Sequence, residues 1–102
     1  MRIVLNEKFR NDLIEIIKYY IKENINFSKV IFDIFNKIGF LVIFSQMGTP
    51  LNEGLFAKHN WRYIRAGKYL IFYRVDKTIY IMRVLHARRD WHSIINEDIV
   101  SI

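Results

Sequence analysis

Three runs in the second half of the chain decide the fold: Trp61-Arg62-Tyr63-Ile64-Arg65-Ala66, Tyr69-Leu70-Ile71-Phe72-Tyr73-Arg74-Val75 and Ile79-Tyr80-Ile81-Met82-Arg83-Val84-Leu85. Aromatic and β-branched side chains of this density fit a pleated, half-buried surface, and each run has the length of a strand. Only Gly67-Lys68 and Asp76-Lys77-Thr78 separate them. Links this short join antiparallel neighbours, so the runs predict a meander. Which arginines share a face depends on the second link. A two-residue loop at Asp76-Lys77 pairs Val75 with Thr78 and places Arg74 and Arg83 on one face, whereas a three-residue loop places them on opposite faces. The sequence leaves both open.

Upstream the period changes. Arg2 to Leu5 is a short β-branched-rich run suited to an edge strand, and Asn6 follows as a helix N-cap with Glu7 in the first turn. From Glu7 to about Glu23, Phe9, Leu13, Ile16, Ile17 and Tyr20 recur at helical spacing, with Lys8, Asp12, Glu15, Lys18 and Lys22 turned elsewhere. Asn24-Ile25-Asn26 breaks the pattern. Asn26 or Ser28 can cap a second helix to about Phe44, with Ile31, Ile34, Ile38, Leu41 and Val42 as its stripe. The short connection makes the pair an antiparallel hairpin. Residues 45 to 60, with Gly48, Pro50 and Gly54, read as an exposed loop. Beyond Trp91, Ile94, Ile95 and Ile99 among polar residues suit a short helix or an arm.

Together these elements predict an α+β fold over residues 1–102 as a single domain. Its N-terminal strand and antiparallel helical hairpin pack on one face of a three- to four-stranded antiparallel sheet. The other sheet face is then only partly covered, and the basic residues of the second half are expected there. One domain is also what 102 residues with 52% hydrophobic content would build. One proline and four glycines leave no linker. The longest apolar run, Ile38 to Phe44, falls far short of the roughly 20 residues of a bilayer helix. Asn6, Glu7 and Lys8 follow Ile3-Val4-Leu5 at once, which is unlike a signal peptide. With no cysteine, the expectation is a cytoplasmic protein.

The formal charge of +6 is regional. Residues 57 to 92 hold nine lysines and arginines against Asp76 and Asp90, while residues 1 to 56 hold seven against six carboxylates. Such a window suits an anionic or acidic partner. It culminates in Arg83-Val84-Leu85-His86-Ala87-Arg88-Arg89-Asp90-Trp91, where a strand pattern runs into guanidinium groups, an imidazole and an indole. The candidate target-binding residues are Arg83, His86, Arg88, Arg89 and Trp91, with Trp91 the exposed contact beyond the last strand. A plainer reading pairs Asp90 with one arginine on a solvated segment. His86 invites two readings: a general base, or a histidine that hydrogen-bonds a backbone carbonyl at a strand end. Interleaved aromatics such as Tyr63, Tyr69 and Phe72 suit stacking on nucleic acid, but the plainer reading for most of them is core or cross-strand pairs. His59, His86 and His92 have no metal-ligand spacing, so neither metal nor cofactor is expected.

Two stretches carry a family resemblance: Ala66-Gly67-Lys68-Tyr69-Leu70-Ile71-Phe72-Tyr73-Arg74-Val75-Asp76, and Arg83-Val84-Leu85-His86-Ala87-Arg88-Arg89-Asp90. With the order strand, helical hairpin, glycine-containing loop and meander, the chain resembles the RelE/ParE superfamily of toxins from type II toxin-antitoxin modules. It is most similar to the ParE-like, plasmid-stabilisation branch. The resemblance implies a small basic toxin that inhibits growth and is neutralised by an acidic antitoxin wrapped around it. RelE-like members cut mRNA in the ribosomal A site, whereas ParE members poison DNA gyrase without obvious catalytic residues. Relatives that cleave mRNA tend to carry an arginine after the Gly-Tyr of the middle strand, where this chain has Leu70. They carry a basic residue where Ala87 follows His86, and no terminal tyrosine is evident after Trp91. The resemblance therefore implies a gyrase-directed toxin. The alternatives are a ribosome-dependent endoribonuclease using Arg62, Arg65, Arg83, His86 and Arg88, and a non-toxic nucleic-acid-binding module.

Overall fold

Asn6 opens the first helix as its sequence position suggests: in the computed structural model, which describes residues 1–100, its side chain accepts the Lys8 N–H at 2.9 Å. Strand β1 (Arg2–Leu5) precedes this cap and helix α1 (Glu7–Lys22) follows it. Asn24, in the left-handed region at φ 56°, turns the chain. Asn26 Oδ1 then accepts the Ser28 N–H at 2.8 Å, at the start of α2 (Ser28–Leu41).

Helix α2 stops three residues before the expected Phe44. Its last turn tightens, with Val42 N–H donating to Gly39 O and Ile43 N–H to Phe40 O. The chain is claimed by anchors further on. The Tyr73 hydroxyl donates to Ser45 O at 3.0 Å and accepts the Gly48 N–H at 2.8 Å. Arg62 Nη1 donates to Gln46 O at 3.0 Å and to Gly48 O at 2.7 Å. A Cβ on Gly48 would stand 2.5 Å from the Tyr73 hydroxyl oxygen and 2.7 Å from the Tyr63 carbonyl oxygen, so this close approach needs glycine.

The expected loop over 45–60 contains two short elements, β2 (Thr49–Pro50) and α3 (Gly54–Lys58). The meander follows as β3 (Trp61–Ala66), β4 (Tyr69–Val75) and β5 (Thr78–His86), and the final segment is helix α4 (Trp91–Val100). Strand order in the sheet is β1-β5-β4-β3-β2. The sheet thus has five strands where three or four were expected, and it is mixed, because β1 runs parallel to β5 with Arg2 opposite Thr78 and Leu5 opposite Ile81. A parallel neighbour needs a long crossover, which the helical hairpin and the meander together supply. At the other edge, Pro50 sits in β2, where its missing N–H costs no ladder bond.

The link after β4 has three residues, since Val75 lies opposite Ile79. That loop alone would separate Arg74 from Arg83. A β-bulge undoes the separation: Tyr73 faces Ile81 but Phe72 faces Arg83, so Met82 is the extra residue and Arg83 returns to the face of Phe72 and Arg74.

Both sheet faces are packed. On one, Phe9, Ile16, Ile34, Ile38 and Leu41 of the hairpin bury Ile71, Tyr73, Ile79, Ile81 and Val84. On the other, Phe56 of α3 with Ile95 and Ile99 of α4 cover Trp61, Leu70, Phe72 and Leu85. The partly open basic face expected from sequence is instead a second core. Strand β4, buried on both sides except at Arg74, accordingly reads as an unbroken apolar run rather than an alternation. Among the described residues, no helix is long and apolar enough to cross a membrane.

Candidate functional site

The bulge sets the chemistry of the first candidate residue. It turns Arg83 toward the edge of β5, between α1 on one side of the sheet and α4 on the other. Its guanidinium donates Nε–H to Asp12 Oδ2 at 2.7 Å and Nη2–H to Asp12 Oδ1 at 2.8 Å, while Nη1–H reaches Asp98 Oδ2 at 3.2 Å. Asp12 Oδ2 also accepts the Val84 N–H at 3.1 Å, a backbone donor beyond the reach of β1. Lys8 Nζ donates to Asp98 Oδ1 at 2.6 Å. Only 15% of the Arg83 side chain is exposed. The bond to Asp12 pushes its pKa up from an already high value, with burial opposing. Arg83 is thus a structural cation, fixed to carboxylates from both ends of the chain. Its counterions thus lie outside the basic window of residues 57 to 92, in α1 and α4. The one available signal was Asp12 itself, flanking the inward stripe of Phe9, Leu13 and Ile16.

Past Arg83 the strand ends in a tight turn. Ala87 N–H donates to Lys68 O at 2.9 Å and Arg89 N–H to His86 O at 3.0 Å. His86 Nδ1 accepts the Arg88 N–H at 3.0 Å. In a neutral imidazole this acceptor role puts the proton on Nε2, so the remaining ring nitrogen offers a donor rather than a base. Asp90 pairs with neither arginine. Its carboxylate takes the Ser93 hydroxyl at 2.8 Å and faces the Ser93 N–H at 3.4 Å, capping the first turn of α4. Arg88 and Arg89 stand exposed, without a carboxylate partner among the described residues.

Trp91 does not project into solvent as expected. It is half-buried at the start of α4, its ring 5.2 Å from that of Phe72 and 6.0 Å from that of Tyr63, closing the rim of the second core. Arg62 and Arg65 stand three positions apart on β3 and so lie on opposite faces. Arg62 is spent on Gln46 and Gly48, while Arg65 Nε–H donates to Gly67 O at 2.9 Å. Leu70 is buried in the second core.

Beside the Arg88-Arg89 turn, a cleft of about 390 Å³ separates α1 from the ends of β4 and β5. Asp12 and Glu15 line it from the helix, and Lys68, His86 and Arg89 from the sheet. Tyr69 also lines it. Burial, then a hydrogen bond with Tyr20, pushes the Tyr69 pKa up to about 12, so the phenol keeps its proton at neutral pH.

A family model described as the ParE toxin of type II toxin-antitoxin system, parDE, matches residues 3–91. The match runs from β1 to the first residue of α4. Comparison with curated proteins gives no match.

Proposed function

We propose that this chain, which belongs to the ParE toxin family of type II toxin-antitoxin systems, inhibits growth by binding and poisoning DNA gyrase in the cytoplasm, and that an acidic antitoxin neutralises it. The contact surface is the turn after β5. Arg88 and Arg89 meet the target there, with His86 beside them, while Arg83 and Trp91 hold that turn in place from beneath.

The observation that carries the choice of target is the dispersal of the groups a nuclease would need. Metal-free RNA cleavage requires a base at the 2′-hydroxyl and cations on the phosphorane oxygens, converging on one point. Here Arg83 is tied to Asp12 and Asp98, Arg62 to backbone carbonyls, and the His86 Nδ1 lone pair to the Arg88 N–H. Leu70 and Ala87 offer neither charge nor proton. What remains outward at this turn is an exposed pair of arginines, the chemistry of a binding surface rather than of a reaction centre. The surplus of exposed cations also suits an acidic antitoxin, whose association should slow with salt.

A purified supercoiling reaction tests the reading. The expected result is inhibited turnover or accumulated cleaved DNA, weakened in Arg88→Ala/Arg89→Ala. Codon-specific mRNA cleavage on translating ribosomes, with gyrase untouched, would transfer the assignment to the endoribonuclease. Unimpaired growth at high protein level, with salt-sensitive nucleic-acid binding, would favour the non-toxic module.

A further inference from the structure

Asp12, Glu15, Ile16, Tyr19 and Tyr20 follow one another at helical spacing along α1, and this stripe is one wall of the cleft of about 390 Å³. Lys68, Tyr69, Val84, His86 and Arg89 line the other wall. Tyr69 stands directly opposite His86 on the neighbouring strand, so both side chains lie on the α1 side of the sheet, away from Leu70 and the second core. The volume falls at the lower end of the range of small-molecule sites.

The groups left without a partner decide what fits. On the helix wall Asp12 is already held by Arg83 and the Val84 N–H. Glu15 remains, exposed and only 4.0 Å from Lys18. On the sheet wall Lys68 and Arg89 are exposed, and neither meets a carboxylate among the described residues. Their turns are joined, because Lys68 O accepts the Ala87 N–H at 2.9 Å while the Arg89 N–H donates to His86 O at 3.0 Å. Two cations therefore stand on one side of the cleft, with the His86 Nε2–H beside them. Flat rings border both walls: Tyr19 and Tyr20 meet edge to face at 5.7 Å, and Tyr69 and His86 at 5.5 Å.

We propose that this cleft binds a free nucleoside monophosphate, with the phosphate on Lys68 and Arg89 and the base between the tyrosines of α1 and the Tyr69–His86 pair. A phosphate monoester carries about −1.5 to −2 charges at neutral pH, which two cations and a neutral donor match. A carboxylate would leave one of the cations unmatched. Glu15 sets the direction of the ligand, since it repels the phosphate from the helix wall and accepts N–H groups from the edge of the base. Guanine presents two such donors side by side, and a carboxylate can accept both. The rings supply stacking, which any base can use. Affinity then depends on the anion and the ring together.

Isothermal titration of the purified full chain with GMP, guanosine and inorganic phosphate tests this with neither target nor antitoxin present. GMP is expected to bind about tenfold or more tighter than either half alone, the worth of one further charge-assisted contact. Lys68→Ala is expected to weaken GMP and phosphate by a similar factor, and Tyr19→Ala to weaken GMP and guanosine but not phosphate. Both side chains are exposed, so the thermal transition should stay in place. Were Tyr19→Ala to lower it, Lys68→Ala would still decide. Lys77→Ala, in the turn at the far end of the same strands, is expected to bind GMP as the parent does. Equal weakening by Lys77→Ala would reduce the binding to general attraction and overturn the inference. So would absence of binding at millimolar GMP, or a 5′-phosphorylated trinucleotide that binds more tightly than GMP and so makes the cleft part of a strand groove. Lys68 and Tyr19 lie outside the proposed gyrase surface, so failure of the supercoiling test and failure of this one are separate results.

Discussion

Arg83 and Asp12 meet side by side, Nε to Oδ2 at 2.7 Å and Nη2 to Oδ1 at 2.8 Å, across 71 residues of chain. The paired geometry is the strong form of a charge-assisted contact, and Asp98 completes it from α4. Arg83→Ala would leave the largely buried Asp12 carboxylate with only the Val84 N–H, while Asp98 would keep Lys8. Chemical denaturation is expected to report a loss of about 3–5 kcal/mol, the cost of stranding a buried charge. A loss below about 0.5 kcal/mol, as for an ordinary surface change, would return Arg83 to the target surface.

Arg88→Ala/Arg89→Ala is expected to keep stability within about 0.5 kcal/mol of the parent, since both side chains are solvated. Growth inhibition should nevertheless fall. Ile34→Ala should do the reverse: this fully buried residue is expected to cost about 2–5 kcal/mol, and to reduce toxicity only through unfolding. Thermal melts beside growth assays separate the two causes.

Gly48→Ala is expected to destabilise by about 1–3 kcal/mol, because its methyl group would collide with the Tyr73 hydroxyl and the Tyr63 carbonyl. Tyr73→Phe should cost about 1–3 kcal/mol through the Gly48 N–H it leaves unpaired. Urea midpoints at neutral pH measure both. Equal stability of parent and Gly48→Ala would mean that the 45–48 segment is not held as described.

Stability should decline in strong alkali through Tyr69. The native phenol titrates at about 12 against an ordinary 10.0. Between these values the unfolded chain gives up a proton that the native state retains, so the stabilisation is complete below pH 10.0 and is lost as pH rises toward 12. Tyr69→Phe is expected to flatten this part of the pH profile. Parallel parent and variant profiles above pH 10.0 would contradict the assignment.

Much of this architecture is legible in the chain because its signals are repeated. Asn6 caps α1 from a single position, but Phe9, Leu13 and Ile16 then confirm the helix three times over. The strands β3, β4 and β5 each carry several consistent residues. The bulge at Met82 is different: one inserted residue changes neither composition nor length visibly, yet it decides where Arg83 points. Asp98 was hidden for another reason, since its value lies in a contact with Lys8 that spans 90 residues. Trp91 misled through its place after the last strand. An indole there serves equally well outside a domain or as the lid of a core, and only Ile95 and Ile99, packing below it, decide which.

The parallel pairing of Arg2 with Thr78 also sets an order of events during synthesis. Strand β1 and helix α1 leave the ribosome early, but the strand that completes them is made only after most of the chain. Contacts so distant along the chain close late and slowly, because the intervening loop must be ordered first. The hairpin therefore waits, its apolar sides uncovered, until β5 has emerged. Arg88 and Arg89 follow immediately behind β5, so the surface proposed to reach the target takes shape at the same moment as the fold. A nascent or truncated chain ending before β5 would then be unfolded and harmless together.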